Sequence, residues 1–100
     1  MPGVVINTGS QIGKGVFIYT SSSVDYDCSI GNWCHIAVGA HVSGTVSIGE
    51  CSWIGAGAVV SNNVSVCDNV VIGAGAVVVD DVKENGIYIG VPARKMVIQR

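Results

Sequence analysis

Charge is what this sequence has least of. Of its 100 residues five are Lys or Arg and seven are Asp or Glu, for a net charge of -2. A nucleic-acid binder needs a basic face, and this balance argues against one. Long apolar runs are absent too. Although 49% of the residues are hydrophobic and Cys28 to Gly49 carries no charged side chain, that stretch is broken by Ser29, Asn32, His35, His41, Ser43 and Ser47. Nothing approaches the roughly 20 apolar residues of a spanning helix, so no membrane partner is expected. The N-terminal MPGVVINTG lacks a basic segment followed by an apolar one. A secretory signal is therefore not visible, and a cytoplasmic location is expected. The four cysteines, Cys28, Cys34, Cys51 and Cys67, form no CxxC pair, and the two histidines form no HxxxH. Free thiols and no metal site are the expectation.

What the chain does have is a period. Ile or Val recurs every six residues without a break at Ile6, Ile12, Ile18, Val24, Ile30, Ile36, Val42, Ile48, Ile54, Val60, Val66, Ile72 and Val78. Four places after each comes a small or β-branched residue, from Ser10 through Cys28, Cys34 and Ala58 to Val82. A period of six fits a helical 3.6 poorly but holds whole strand alternations, so short strands joined by tight turns are predicted. Three hexads make one triangular coil, and residues eighteen apart stack at the interstrand spacing of about 4.8 Å. Cys28 and Cys34 then point inward as small core residues. One domain is expected, all-β, with the β-helix over residues 1–83 and a C-terminal extension of strand, turn and tail over 84–100. The helix has a little over four coils. A chain this short buries a modest fraction of its surface, so association with copies of itself is expected. Asn85-Gly86 reads as a turn leaving the column, and Pro92 as the end of the extended segment.

The hexads INTGSQIGKGV, SSSVDYDCSIGNWCHIAVGAHVSGTVSIGE, WIGAGAVV and VIGAGAVV, with the tail IYIGVPARKM, resemble hexapeptide-repeat acyltransferases. From about Val4 to Met96 the chain is similar to the C-terminal half of the sialic acid O-acetyltransferase family, which includes bacillosamine-pathway sugar N-acetyltransferases. The resemblance implies a left-handed parallel β-helix, a homotrimer, and acetyl transfer from acetyl-CoA to a hydroxyl or amine of a sugar or other small acceptor. A γ-class carbonic anhydrase shares the fold but needs three zinc-binding histidines, and only His35 and His41 are present. Antifreeze β-helices show threonine ladders, and threonine occurs only at 8, 20 and 45. Relatives usually carry an N-terminal nucleotide-sugar-binding domain, whereas this sequence starts almost directly in the repeat.

The same resemblance implies the site. Family members read acid-His-acid-Cys where this chain reads Asp25-Tyr26-Asp27-Cys28, so Tyr26 takes the place of the general base and Asp27 that of the acid orienting it. A phenol is roughly 0.1 per cent ionised at pH 7, whereas imidazole is mostly free base. Loss of a general base typically costs about 10²–10⁴-fold. His35 and Gly44 map beside the acetyl group, Gly44 offering an N–H to the oxyanion, and Ala56 and Ala74 map along the pantetheine arm. In the family these contacts lie in a groove between subunits.

Eighteen-residue stacking puts Phe17, His35, Trp53 and Val71 on one ladder, and Tyr26, Gly44, Asn62 and Asp80 on another. Each candidate has a plainer role beside the functional one. Tyr26 equally suits an outward aromatic at a subunit contact, Asp25 and Asp27 suit corner polarisation, and Trp33 and Trp53 suit packing. His41 is expected at the surface. Gly55, Gly57, Gly73 and Gly75 are read first as turn residues, since no helix N-terminus follows to make a phosphate loop. Arg94, Lys95 and Arg100 suit either the phosphates of coenzyme A or a solvated tail. A non-catalytic trimer that binds coenzyme A or serves as a scaffold is the alternative function, and Tyr26 is its main support.

Overall fold

A computed structural model describes residues 3–97, so Arg100 lies outside the described residues. Fifteen short strands follow one another: β1 (Val5–Ile6), β2 (Gln11–Ile12), β3 (Phe17–Ile18), β4 (Ser23–Val24), β5 (Ser29–Ile30), β6 (His35–Ile36), β7 (His41–Val42), β8 (Ser47–Ile48), β9 (Trp53–Ile54), β10 (Val59–Val60), β11 (Ser65–Val66), β12 (Val70–Ile72), β13 (Val77–Val78), β14 (Gly86–Ile89) and β15 (Arg94–Lys95). Up to β13, every third strand joins the same sheet. The first sheet runs β1-β4-β7-β10-β13, the second β2-β5-β8-β11, and the third β3-β6-β9-β12-β14-β15. Pairing is parallel with partners eighteen apart, as in Val5 with Ser23, Ser29 with Ser47 and His35 with Trp53. The result is a three-faced solenoid column, 43 Å long and 23 by 21 Å across.

Both inward series predicted from the hexads meet in one core. From Ile18 to Val78 every key Ile or Val is buried, and so is each fourth-place residue from Ser22 to Val82. The first turn departs from this: Ile6 is 48% exposed, with no coil packed beneath it among the described residues. Inward Ser and Cys do a second job. Their hydroxyls and thiols reach the corner carbonyl fifteen residues on, Ser22 to Ala37, Cys28 to Ser43, Cys34 to Gly49 and Ser52 to Cys67. A buried carbonyl thereby gains a donor, which otherwise costs about 1–3 kcal/mol to leave unmade. Burial also pushes the Cys34 thiol above its ordinary pKa, which fits a packed core residue rather than a reactive one.

The column runs to about five turns, longer than the sequence led us to expect. After Val78 the register shortens: Val82 bridges Val66, and Ile87 pairs with Val71, each sixteen residues apart instead of eighteen. Gly86 therefore opens β14 on top of β12, where a turn away from the column was expected. β15 folds back antiparallel on β14, pairing Lys95 with Tyr88, so Pro92 lies in a hairpin turn.

Candidate acyl-transfer groove

Each coil has three corners, and they differ. Residues in the left-handed region sit at the same place in each corner. Between the first and second sheets they are Gly9, Asp27, Thr45 and Asn63; between the second and third, Gly15, Trp33, Cys51 and Asn69; between the third and first, Gly3, Ser21, Gly39, Gly57 and Gly75. The first two corners show that Asn, Asp, Thr and Cys tolerate this backbone here. Glycine in the last corner is therefore not demanded by the turn alone. Nor is it demanded by packing, since a Cβ on Gly57 or Gly75 would meet nothing within 4 Å. With exposed Ala56 and Ala74 beside them, these glycines leave an open strip along the edge of the third sheet. Neither Ala56 nor Ala74 donates its N–H to a partner among the described residues.

Tyr26 and Gly44 stack at the first corner, where the Thr45 N–H donates to the Tyr26 carbonyl at 2.8 Å and the Asn63 N–H to the Gly44 carbonyl at 3.0 Å. The Tyr26 side chain is 58% exposed. Its backbone N–H is capped by the Asp25 carboxylate at 2.8 Å, and the same carboxylate accepts from Asn7 Nδ2 at 3.2 Å. Asp25 thus holds the corner. The Gly44 N–H has no such cap and no partner among the described residues. Asp27, at φ 57°, turns its carboxylate onto Gly9 of the preceding coil, toward the N-terminal end and away from Gly44. Asn62 and Asp80 continue this corner toward the C-terminus, where with Asn63, Asp81 and Lys83 they line a polar depression of about 390 Å³.

His35 stands on the outer face of the third sheet. Its ring lies between Phe17, with centroids 4.9 Å apart and planes 37° apart, and Trp53, 4.6 Å away and 11° from parallel. The expected ladder is present, and Trp53 serves as a platform for the imidazole while 44% exposed. Nδ1 of His35 is buried without a hydrogen-bond partner. An orphaned N–H is rarer in proteins than an undersatisfied acceptor, so the favoured tautomer is bare at Nδ1 and carries its proton on Nε2. His35 then presents a donor.

Within one chain these groups do not meet. Tyr26, Asp27 and Gly44 occupy the corner opposite the third sheet, whereas His35 stands on that sheet and Ala56 and Ala74 border it. At the C-terminal end Lys95 Nζ pairs with Glu84 Oε2 at 2.9 Å, and among the described residues the Arg94 guanidinium donates only to the Ala93 carbonyl. The pair lowers the Glu84 pKa and raises that of Lys95, chiefly through their hydrogen bond. Among the described residues no three His, Cys, Asp or Glu side chains cluster as metal ligands, and no helix is long and apolar enough to cross a membrane. Sequence reading missed one contact, Ser23 Oγ to His41 Nδ1 at 2.7 Å. Its signal was the eighteen-residue spacing, which makes the two residues neighbours.

Comparison with known proteins shows what the column is similar to. The family profile "Bacterial transferase hexapeptide (six repeats)" matches residues 45–80. Over that stretch the chain is similar to bacterial transferases with hexapeptide repeats. The acetyltransferase domain of PglB from Neisseria gonorrhoeae, solved with acetyl coenzyme A, superposes with a TM-score of 0.81 at 30% identity, over 94% of this chain and 55% of that one. A point mutant of perosamine N-acetyltransferase from Caulobacter crescentus, solved with CoA and GDP-perosamine, gives 0.75 at 28% identity, over 96% and 54%. Serine acetyltransferase from Neisseria gonorrhoeae gives 0.89 at 30%, over 95% and 41%. The chain spans about half the length of these structures. The PglB domain and the perosamine enzyme, both acetyltransferases, agree with the resemblance found in the hexads.

Proposed function

We propose that this protein transfers acetyl from acetyl-CoA to a hydroxyl or amine of a sugar or other small acceptor, in a groove completed by a second copy of the chain in a cytoplasmic homotrimer. The observation that supports this most is the glycine and alanine strip beside His35, open where neither turn nor packing requires it. In this reading the pantetheine arm lies along Ala56 and Ala74, whose free N–H groups suit its amide carbonyls. The Nε2–H of His35 and the N–H of Gly44 hold the thioester oxygen, which stabilises the tetrahedral intermediate by a few kcal/mol. Because Gly44 and Tyr26 lie opposite the third sheet, the first corner of one copy must meet the third sheet of the next. Phe17, Tyr19, Trp53, Val71, Ile87 and Ile89 make that sheet the apolar face. A face of this column is of the size of a standard interface, roughly 800 Å² per partner.

Tyr26 takes the base position and Asp27 turns from Gly44. That arrangement favours a second reading, a trimer that binds coenzyme A without turnover. Thiol release from acetyl-CoA, followed with amino sugars and neutral sugars as acceptors, separates the two. Turnover that falls at least tenfold in His35→Ala supports the transferase. Binding of acetyl-CoA with no acceptor-dependent thiol release supports the second reading.

A further inference from the structure

Transfer to a hydroxyl or amine needs a group that takes the acceptor's proton. Tyr26 is a phenol, and His35 presents a donor with its other nitrogen buried and unpaired. The remaining imidazole is His41. It stands exposed on β7 of the first sheet, one coil above Ser23, with Nδ1 2.7 Å from Ser23 Oγ. Val59 flanks it on the other side in the same row, and Val5 flanks Ser23, so no charged side chain shares the row. Past the end of each strand the chain turns into the first corner: Tyr26 follows Ser23 by three residues, and Gly44 follows His41 by three. Three residues are on the order of 10 Å of extended chain, a span that an imidazole and a sugar-sized acceptor bridge together.

Resting on the transferase reading above, we infer that His41 is the proton acceptor of this protein and Ser23 the residue that positions it. In this assignment Nδ1–H donates to Ser23 Oγ, which fixes the ring and leaves Nε2 free to accept a proton. As the acceptor's oxygen or nitrogen attacks the thioester carbon, its proton passes to Nε2. The oxyanion forms against Gly44 N–H and His35 Nε2–H. Its collapse breaks the carbon–sulfur bond, and the departing thiolate takes the proton back from the imidazolium. The work lost from position 26 is thus supplied from the adjoining face.

The test is kinetic and compares two backgrounds, with acetyl-CoA binding measured for every variant. His41→Gln is expected to lower kcat at least hundredfold, within the roughly 10²–10⁴ of general bases, with KM for acetyl-CoA unchanged. Ser23→Ala is expected to lower kcat about tenfold and Ser23→Thr, which keeps the oxygen, to restore it. In Tyr26→His, where position 26 supplies a base of its own, removing His41 is expected to have little effect. Unchanged turnover in His41→Gln, while His35→Ala abolishes it, overturns the proposal and leaves the transferase reading standing. Wild-type protein that binds acetyl-CoA but turns nothing over, whatever Tyr26→His does, also overturns it. Failure to bind acetyl-CoA at all removes both.

Discussion

Gly57→Asn separates the demands of the fold from those of the ligand. At φ 69° Gly57 has the backbone that Asn63 adopts at 63° and Asn69 at 58°. Asparagine enters this region through its short polar side chain, so the conformational cost is under about 1 kcal/mol. The added Cβ meets nothing within 4 Å, so no core contact is disturbed. Denaturant unfolding should accordingly place the variant within about 1 kcal/mol of wild type. The new side chain nevertheless projects into the strip where the pantetheine arm is placed. Forcing a side chain into filled space costs about 1–3 kcal/mol, which translates into a fivefold to 150-fold loss of affinity for acetyl-CoA. Gly75→Asn, one coil further along the same corner, should behave alike. Calorimetric titration reads the affinity, and the unfolding curve guards against misfolding. Wild-type affinity in both variants would refute the placement of the arm, and the excess of glycine at this corner would then need another cause.

The remaining predictions concern the column itself. Ser52→Ala removes the hydroxyl that donates to the Cys67 carbonyl and accepts from the buried Val70 N–H, both at 3.1 Å. Two backbone groups lose their partner, and stability should fall by about 1–3 kcal/mol in denaturant unfolding; no change would show that water replaces the hydroxyl. For the exposed pair Glu84 and Lys95, the folded Glu84 pKa is lowered. Its contribution is present above the unfolded carboxylate pKa and lost as pH falls through the folded one. A small wild-type advantage over Glu84→Gln should therefore vanish on acidification and shrink in high salt. An advantage that grows toward acid would reverse the assignment.

Much of this architecture was legible because a hexad period leaves little freedom. Once Ile or Val recurs every six residues, the eighteen-residue ladders follow, and Phe17, His35 and Trp53 must be neighbours on one face. The same arithmetic covers Ser23 and His41, yet their hydrogen bond was missed. Position in a ladder says which residues adjoin, and side-chain torsions decide whether they bond. The end effects were also hidden. Ile6 reads like every other key residue, yet it stands at the end of the described column, where it is exposed. The sixteen-residue step is complete by Val82, so it depends on how Val79 to Asp81 round the corner, and no period encodes that. The resemblance pointed to Gly44, Ala56 and Ala74, and the structure puts them at corners where their N–H groups have no partner among the described residues. It left open the role of Asp25, which caps the Tyr26 N–H, and the direction of Asp27, which turns onto Gly9. The distance between the first corner and the third sheet was implicit in three hexads per coil. It is the feature that makes the proposed site depend on a second chain.

The most direct test is calorimetric titration of the protein with acetyl-CoA alongside sedimentation of the same sample. The account predicts saturable binding at micromolar ligand, one site per chain, by a trimer. It also predicts loss of binding when Trp53→Asp, which puts a charge on the apolar face, yields monomers. Equal binding by the monomer would contradict the shared groove, and no binding at millimolar ligand would contradict the acetyl-CoA site altogether.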